Sequence, residues 1–486
     1  MKTRAPSRVA CIPTDARKYP EAPFHPDTLY PELARFSRYE LCVSPTPNPV
    51  YAGVRSCLWK LGLDEENYGT AHWNPLRELI ADNDRIVLKP NFVFHTHPMG
   101  DEGFEAMVTH ASCVRPIIDY ILLTGATGLR ITICDVPLQS AIWEELIRKG
   151  GFTQLQAFYS SQGISIELLD LRTEITFANS EGVYSRRVHK ERDPRGYTAV
   201  SLGARSYLEE IVEDRMKLEI TDYGKGTVAR HHEPGKHEYY IPNTILESNL
   251  FINIPKMKTH RKAGVSLSMK NLVGINGDKS WIAHHRRGVD EYPHFALGAW
   301  LRWYGSYYSK LYLPTWAVTI LYKLHRLIFL KGASIKRHAM EEGGILMEGN
   351  WHGNDTIWRT VIDLNNLLFF ANSSGVMSSH PARKYLTVID GIVAMEAESP
   401  LEGLPKRVGY LVAGFHPCAA DYVAASLMGF DWKKIPLLAE GIRERHWGLC
   451  GYAYQDLDVR GCPDWDSINL DFTPNNGWSG HIERAK

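Results

Sequence analysis

The sequence predicts an α/β protein, a mixed or mainly parallel sheet with helices on both faces and Rossmann-like lobes. First, an apolar run over 84–89 ends in Lys89, Pro90 and Asn91, a helical pattern covers 112–123, and a second apolar run over 129–134 stops at Asp135. This is the order of a β-α-β unit. Second, short apolar runs recur at 164–169, 249–254, 385–389 and 408–412, each bounded by Gly, Pro, Asn or Asp. Strands buried on both faces read this way, because neither face needs polar residues. Third, 486 residues with 44% hydrophobic content exceed the size at which single cores stop growing, so one elaborated domain or two interleaved lobes are expected.

Residues 1–80 are rich in Pro and Tyr and weakly periodic, which suggests an extended arm wrapped on the body. The body then spans 81–430, with insertions at about 172–247 and 300–340, and 431–486 form a C-terminal extension. The first insertion is polar and broken by Gly and Pro, and little catalytic weight falls on it. Pro6, Pro13, Asp15 and Lys18 interrupt the apolar run that a signal peptide needs, so a cytoplasmic location is expected. The eight cysteines lie far apart without a CxxC pair, which suggests free thiols. Lysine plus arginine and aspartate plus glutamate are equal at 55 each, so composition gives nucleic-acid binding no support. Between 300 and 331, seven Trp and Tyr residues precede an apolar stretch that Lys323, His325 and Arg326 interrupt too early for a spanning helix. A buried helix with an aromatic lid is the preferred reading, and peripheral membrane contact the other.

Ligands of open α/β sheets bind beyond the carboxyl ends of the strands, where loops and helix N-termini converge. That rule selects Lys89 and Asn91, then Asp135, then Lys256, Lys258 and His260, and finally Asp390. Arg261, Lys262, Lys270 and Asn271 add to the third group. Positive charge set between an apolar strand and an apolar turn is costly unless paired, and a bound carboxylate or phosphate would pair it. His284 and His285 follow, with the pKa range for proton transfer at neutral pH. His95 and His97 have the i, i+2 spacing of a ligand pair on a strand, but no third ligand completes a metal site. A Gly-rich stretch over 342–355 offers Trp351 as a stacking platform and Asp355 as the N-cap of a helix starting near Thr356. Asp421, among alanines on a predicted helix, needs a partner, for which a lysine of the basic loop is available.

The run from Ile254 to His260, then Gly264, Leu267 and Lys270 to Gly274, together with Leu88 to Asn91, Asp390-Gly391 and His416 to Asp421, resembles the domain-of-unknown-function 362 family over about residues 84–430. Some members of that family carry ferredoxin-type iron–sulfur modules. The CxxCxxC pattern these need is absent, so no such cluster is expected. More distantly the segment is similar to the nickel-pincer lactate racemases, with His260, Lys270 and His284 or His285 in the corresponding order. That resemblance implies a lactate-racemase-like fold, a lysine at 270 that could carry the pincer nucleotide, and inversion at a hydroxyl-bearing carbon by transient hydride removal with histidine acid/base help. Ser268 and Met269 stand where the racemase lysine is preceded by Gly-Gly.

The expectation is therefore a cytosolic epimerase or isomerase of an anionic, hydroxyl-bearing small molecule, a hydroxy acid or sugar derivative. His260, Lys270, His284 and His285 would supply acid/base groups; Lys89, Asn91, Lys256, Lys258, Asn271, Trp351 and Asp390 would bind. Two alternatives are a peripheral membrane enzyme acting on a phosphate-bearing lipid-linked glycan and a non-catalytic anion or nucleotide-binding module.

Overall fold

A computed structural model describes residues 7–34, 43–178, 184–221, 226–291, 320, 348–443, 445–449 and 457–485. The central sheet contains β1 (Ser7–Pro13), β2 (Arg85–Pro90), β3 (Arg130–Asp135), β4 (Ile166–Asp170), β5 (Leu250–Ile254), β6 (Lys256–His260), β7 (Gly264–Ser266), β8 (Lys384–Glu396), β9 (Leu404–Gly414) and β10 (Leu457–Arg460). Their order is β10-β1-β9-β8-β5-β2-β3-β4, with β6 beside β8 and β7 beside β6. From β8 through β5, β2 and β3 to β4 every pairing is parallel. Strand β9 runs antiparallel to both β8 and β1. The sheet is mixed and mainly parallel, as the sequence predicts.

Successive side chains of a strand point to opposite faces, and both faces here are packed. Ile252 and Leu250 of β5 join one core and Phe251 the other. The first core is covered by α1 (Pro49–Lys60), α2 (Ala111–Leu123) and α3 (Phe152–Ser161). The second is covered by α5 (Ile357–Phe370) and α6 (Pro417–Leu427), with the one-turn α4 (Ser268–Asn271) between them. Double-sided burial is why these strands read as unbroken apolar runs rather than alternating ones.

The N-terminal stretch is more than an arm. Its β1 lies inside the sheet, and α1 brings Val50, Val54 and Leu58 into the first core. The C-terminal stretch is equally integral: β10 closes the sheet edge beside β1, and Trp478 is buried against Gly264, whose positive φ of 75° suits glycine. Long-range pairing of this kind leaves no local signature in composition. The expected polar insertion over 172–247 holds an antiparallel hairpin and a three-stranded sheet. The aromatic and apolar stretch over 300–331 lies outside the described residues, Ile320 excepted.

Among the described residues no single helix is long and apolar enough to cross a membrane; one bent pair, Gly100–Met107 with Ala111–Leu123, passes by length and composition only. Cys11, Cys57, Cys113, Cys134 and Cys462 are free and buried, whereas Cys418 is disulfide-bonded, against the expectation of free thiols.

Ile252 is fully buried in the middle of β5. Ile252→Ala is expected to cost about 2–5 kcal/mol by the lost apolar contact and the cavity left behind, measured by urea unfolding.

Candidate functional site

The parallel strands β2, β3 and β5 deliver their carboxyl ends to one edge, and a cavity of about 410 Å3 lies there. Its foundation is buried. The Lys89 ammonium donates to Asp135 Oδ1 at 2.7 Å, to the Pro90 carbonyl at 3.1 Å and to Asn271 Oδ1 at 3.3 Å. Asp135 also accepts from the backbone N–H groups of Val136 and Phe92, at 2.8 and 2.7 Å. Asn271 accepts from Asn91 Nδ2 at 2.8 Å and donates to Asn253 Oδ1 at 2.7 Å, which ties α4 to β2 and β5. Gly274 passes so close that an added Cβ would meet Asp135 Oδ1 at 2.2 Å and Lys89 Nζ at 2.6 Å. Glycine is needed there for space.

Helix α4 carries Lys270. Its first two backbone N–H groups, of Ser268 and Met269, donate to the Asp421 carboxylate at 2.6 and 2.8 Å. Asp421 therefore caps a helix and does not pair with a lysine of the basic loop, as a buried acid beside unsatisfied N–H groups should. Burial pushes its carboxyl up to about 7 against the pull of those bonds. The Lys270 amine reaches the cavity and, among the described residues, makes no hydrogen bond or ion pair. Burial first, then the charges of Lys279, Lys89 and Lys262, lower it to about 7.

On β6, Lys258 donates to Asn91 Oδ1 and to the Met107 carbonyl at 2.9 Å. Burial and the neighbouring Lys256 and Lys270 hold it well below the usual lysine range. His260 Nδ1 accepts from the backbone N–H groups of Lys262 and Ala263 at 3.1 and 3.2 Å. The neutral ring must then carry its proton on Nε2. Burial and the charges of Lys270 and Arg261 keep this imidazole well below its ordinary value, and burial with Lys270 and Lys262 does the same for His284. His284 Nε2 and Asn350 Oδ1 are buried without a partner among the described residues, and both residues line the cavity.

Of the residues singled out in the sequence, Asn91, Asp135, Lys258, His260, Arg261, Lys262, Lys270, Asn271 and His284 line this cavity. Lys89 lies directly behind its wall. Lys256 and Asp390 do not line it: Lys256 is fully buried and donates to Asp390 at 3.0 Å and to Tyr19, whose hydroxyl donates to Asp390 at 2.7 Å. Lys256 and Lys258 would share a face in a regular strand, but the pairing with β8 shifts register between them. His285 turns to Glu219, 3.9 Å away, and Trp351 Nε1 donates to the Asp290 carbonyl, so neither faces the cavity. Asn354, not Asp355, caps α5, accepting from the N–H groups of Thr356 and Ile357. Asp355 instead meets Arg286 and Arg359. His95 and His97 occupy a loop, each accepting a backbone N–H, and no group of three metal-ligating side chains occurs among the described residues.

Sequence reasoning missed Lys279; within the Gly-rich stretch over 342–355 it chose Trp351 rather than Asn350, and Thr221 fell in the insertion given little catalytic weight, yet all three, Lys279, Asn350 and Thr221, line the cavity. A lysine set between Gly277 and Ile282, a few residues before His284, was the available signal for Lys279. A second cleft of about 450 Å3 is lined by Glu210, Asp355, Arg359 and Arg445, whose charges already pair with one another. Lys433 and Lys434 also line it, Lys434 donating to the Glu483 carbonyl at 3.0 Å and Lys433 lying over the Trp432 ring.

Fold and cavity define an α/β protein with a cationic pocket at the carboxyl edge of a mainly parallel sheet. The family model described as "Domain of unknown function (DUF362)" matches residues 168–426, more than half of the chain, and the chain belongs to that family. Among curated proteins there is no match. A crystal structure of a Thermotoga maritima protein is similar at 12% identity and a TM-score of 0.32, over 78% of this chain and 58% of that one. The chain thus spans less than two thirds of that neighbour's length.

Two outcomes are expected at this site. Lys89→Met leaves Asp135 as an uncompensated buried charge and should cost about 3–5 kcal/mol in denaturant unfolding. Lys270→Met should stabilise the fold most at pH 6 and least at pH 10. The reason is that the native amine is depressed to about 7 from 10.5, so its protonation penalises the folded state below pH 7 and that penalty fades as pH rises toward 10.5.

Proposed function

We propose that the protein is an enzyme that binds a small, anionic, hydroxyl-bearing molecule in this cavity and moves a proton on it, with epimerisation or isomerisation as the reaction class. The observation that carries this reading is the convergence of unpartnered polar groups, the Lys270 amine, His284 Nε2 and Asn350 Oδ1, on one cation-rich cavity. Buried polar groups are normally satisfied within the fold, so groups left open at a cavity mark where a ligand completes them. An amine lowered to about 7 is half neutral at physiological pH and can act as a general base. His260, with Nδ1 occupied by two N–H groups, would present Nε2–H to a developing oxyanion.

The distant racemase resemblance puts a lysine-borne pincer nucleotide at Lys270, and the unpaired amine and surrounding cations fit a tethered anionic group. Such a group would supply the acceptor for a hydride from the hydroxyl-bearing carbon. Intact-mass analysis of protein from its native host tests it: a mass adduct lost in Lys270→Ala supports attachment, and an unmodified chain removes it.

The acid/base reading is tested by incubation with 2-hydroxy acids and sugar acids in D2O. Deuterium is expected at the inverted carbon, with a loss of about 100-fold or more in Lys270→Ala and His260→Ala. Full turnover in both folded variants would overturn the assignment. Anion affinity should be greatest below pH 7 and fall through pH 7–8, because Lys270 and Lys279, lowered to about 7 and about 8 chiefly by burial, then lose the protons that attract the ligand.

A further inference from the structure

The cavity's charge and its walls say more about the ligand than that it is anionic. Four of the cations lining it, Lys258, Arg261, Lys270 and Lys279, have no carboxylate partner among the described residues. Lys258 is held only by an amide oxygen and a carbonyl. The two lining carboxylates are engaged elsewhere: Asp135 holds Lys89, and Glu348 accepts the hydroxyl of Thr221. By contrast Lys89 and Lys256, as fully buried as Lys258, each hold an aspartate, whereas Lys270 is slightly less buried and Arg261 and Lys279 are half-buried. Among the described residues, Lys89 and Lys256 away from the cavity are paired with aspartates, and Lys258, Lys270 and Lys279 at the cavity are not. A single carboxylate would meet one of these four groups and leave the others without an anionic partner.

The remaining walls are of another kind. Loops after β2 and β3 contribute Phe92, Phe94, Pro137 and Leu138, and Leu401 and Val273 join them. A volume of about 410 Å3 falls within the usual ~300–1,000 Å3 of organic-ligand sites, and a three-carbon hydroxy acid would leave most of it empty. Lysines, which are compact point charges, come from β6, α4 and the turn bearing Lys279, whereas Phe92, Phe94, Pro137, Leu138 and Leu401 come from the chain leaving β2, β3 and β8; Val273 lies on the turn that follows α4.

We propose that the ligand is bipartite, with a head carrying two negative charges, a phosphate monoester or dicarboxylate, held by Lys258, Arg261, Lys270 and Lys279, and an apolar body lying along Phe92, Phe94, Pro137 and Leu401. This rests on the anion-pocket reading above and narrows its substrate class.

Isothermal calorimetry on the full chain at fixed ionic strength, with phenyl phosphate, phenylsuccinate, benzoate, inorganic phosphate and L-lactate as probes, tests it. One of the two aryl dianions is expected to bind at least ~10-fold more tightly than benzoate, for the second charge, and ~10-fold more tightly than inorganic phosphate, for the ring. Which of the two binds better distinguishes the phosphate from the dicarboxylate form. Lys279→Ala, on a partly exposed loop, should weaken that dianion by about 10-fold and benzoate by under about 3-fold, with unchanged circular dichroism. Benzoate or L-lactate binding as tightly as both dianions in a Lys270-dependent way overturns the two-charge head and leaves the anion pocket standing. Inorganic phosphate equalling phenyl phosphate overturns the apolar body. No binding by any probe overturns both the inference and the reading beneath it.

Discussion

The ion pair between Lys89 and Asp135 is the interaction on which the rest of this edge depends. Both charges are withdrawn from water, which is tolerable only because every remaining donor and acceptor is answered: two backbone N–H groups on the carboxylate, a carbonyl and an amide oxygen on the ammonium. These bonds join the ends of two parallel strands, the chain leaving each of them, and through Asn271 the short helix that bears Lys270. The close passage of Gly274 completes the enclosure. A network satisfied at each atom is stiff, and stiffness here places the catalytic candidates against a wall that cannot yield.

That foundation uses one carboxylate on one lysine, and among the described residues Lys258, Lys270 and Lys279 in front of it have no carboxylate partner. Crowded cations in a poorly solvated pocket shed protons, which is why Lys270 sits near neutrality and both cavity imidazoles are uncharged at physiological pH. Bases and N–H donors can then coexist without mutual repulsion. An anion of the kind proposed would reverse the effect, and its binding would then be coupled to proton uptake.

Lys256 and Lys258 illustrate how narrowly such a pocket is drawn. Two residues apart on one strand, they would share a face, yet a register shift against β8 sends one to Asp390 and Tyr19 and the other to the cavity. The cap on α4 is similar in kind. Asp421 comes from a helix about 150 residues further along the chain and satisfies N–H groups that a four-residue helix cannot satisfy itself.

Much of the architecture was legible in the sequence, since apolar runs broken by Pro, Gly, Asn and Asp are local and both faces of this sheet are buried. The strand exits, and with them Asn91, Lys258 and His260, followed from that order, while Lys270, Asn271 and His284 came from the basic segment beyond the exit and from the family resemblance. Misplacement began where a side chain's fate depended on something distant. Trp351 and His285 found partners in Asp290 and Glu219, and the first 80 residues entered a sheet whose strand partners lie 400 residues away. By itself, the sequence determined the fold class and the concentration of cations at one sheet edge. Tertiary structure decided which of them stay unneutralised, because pairing a buried charge depends on which carboxylate the folded chain brings within reach.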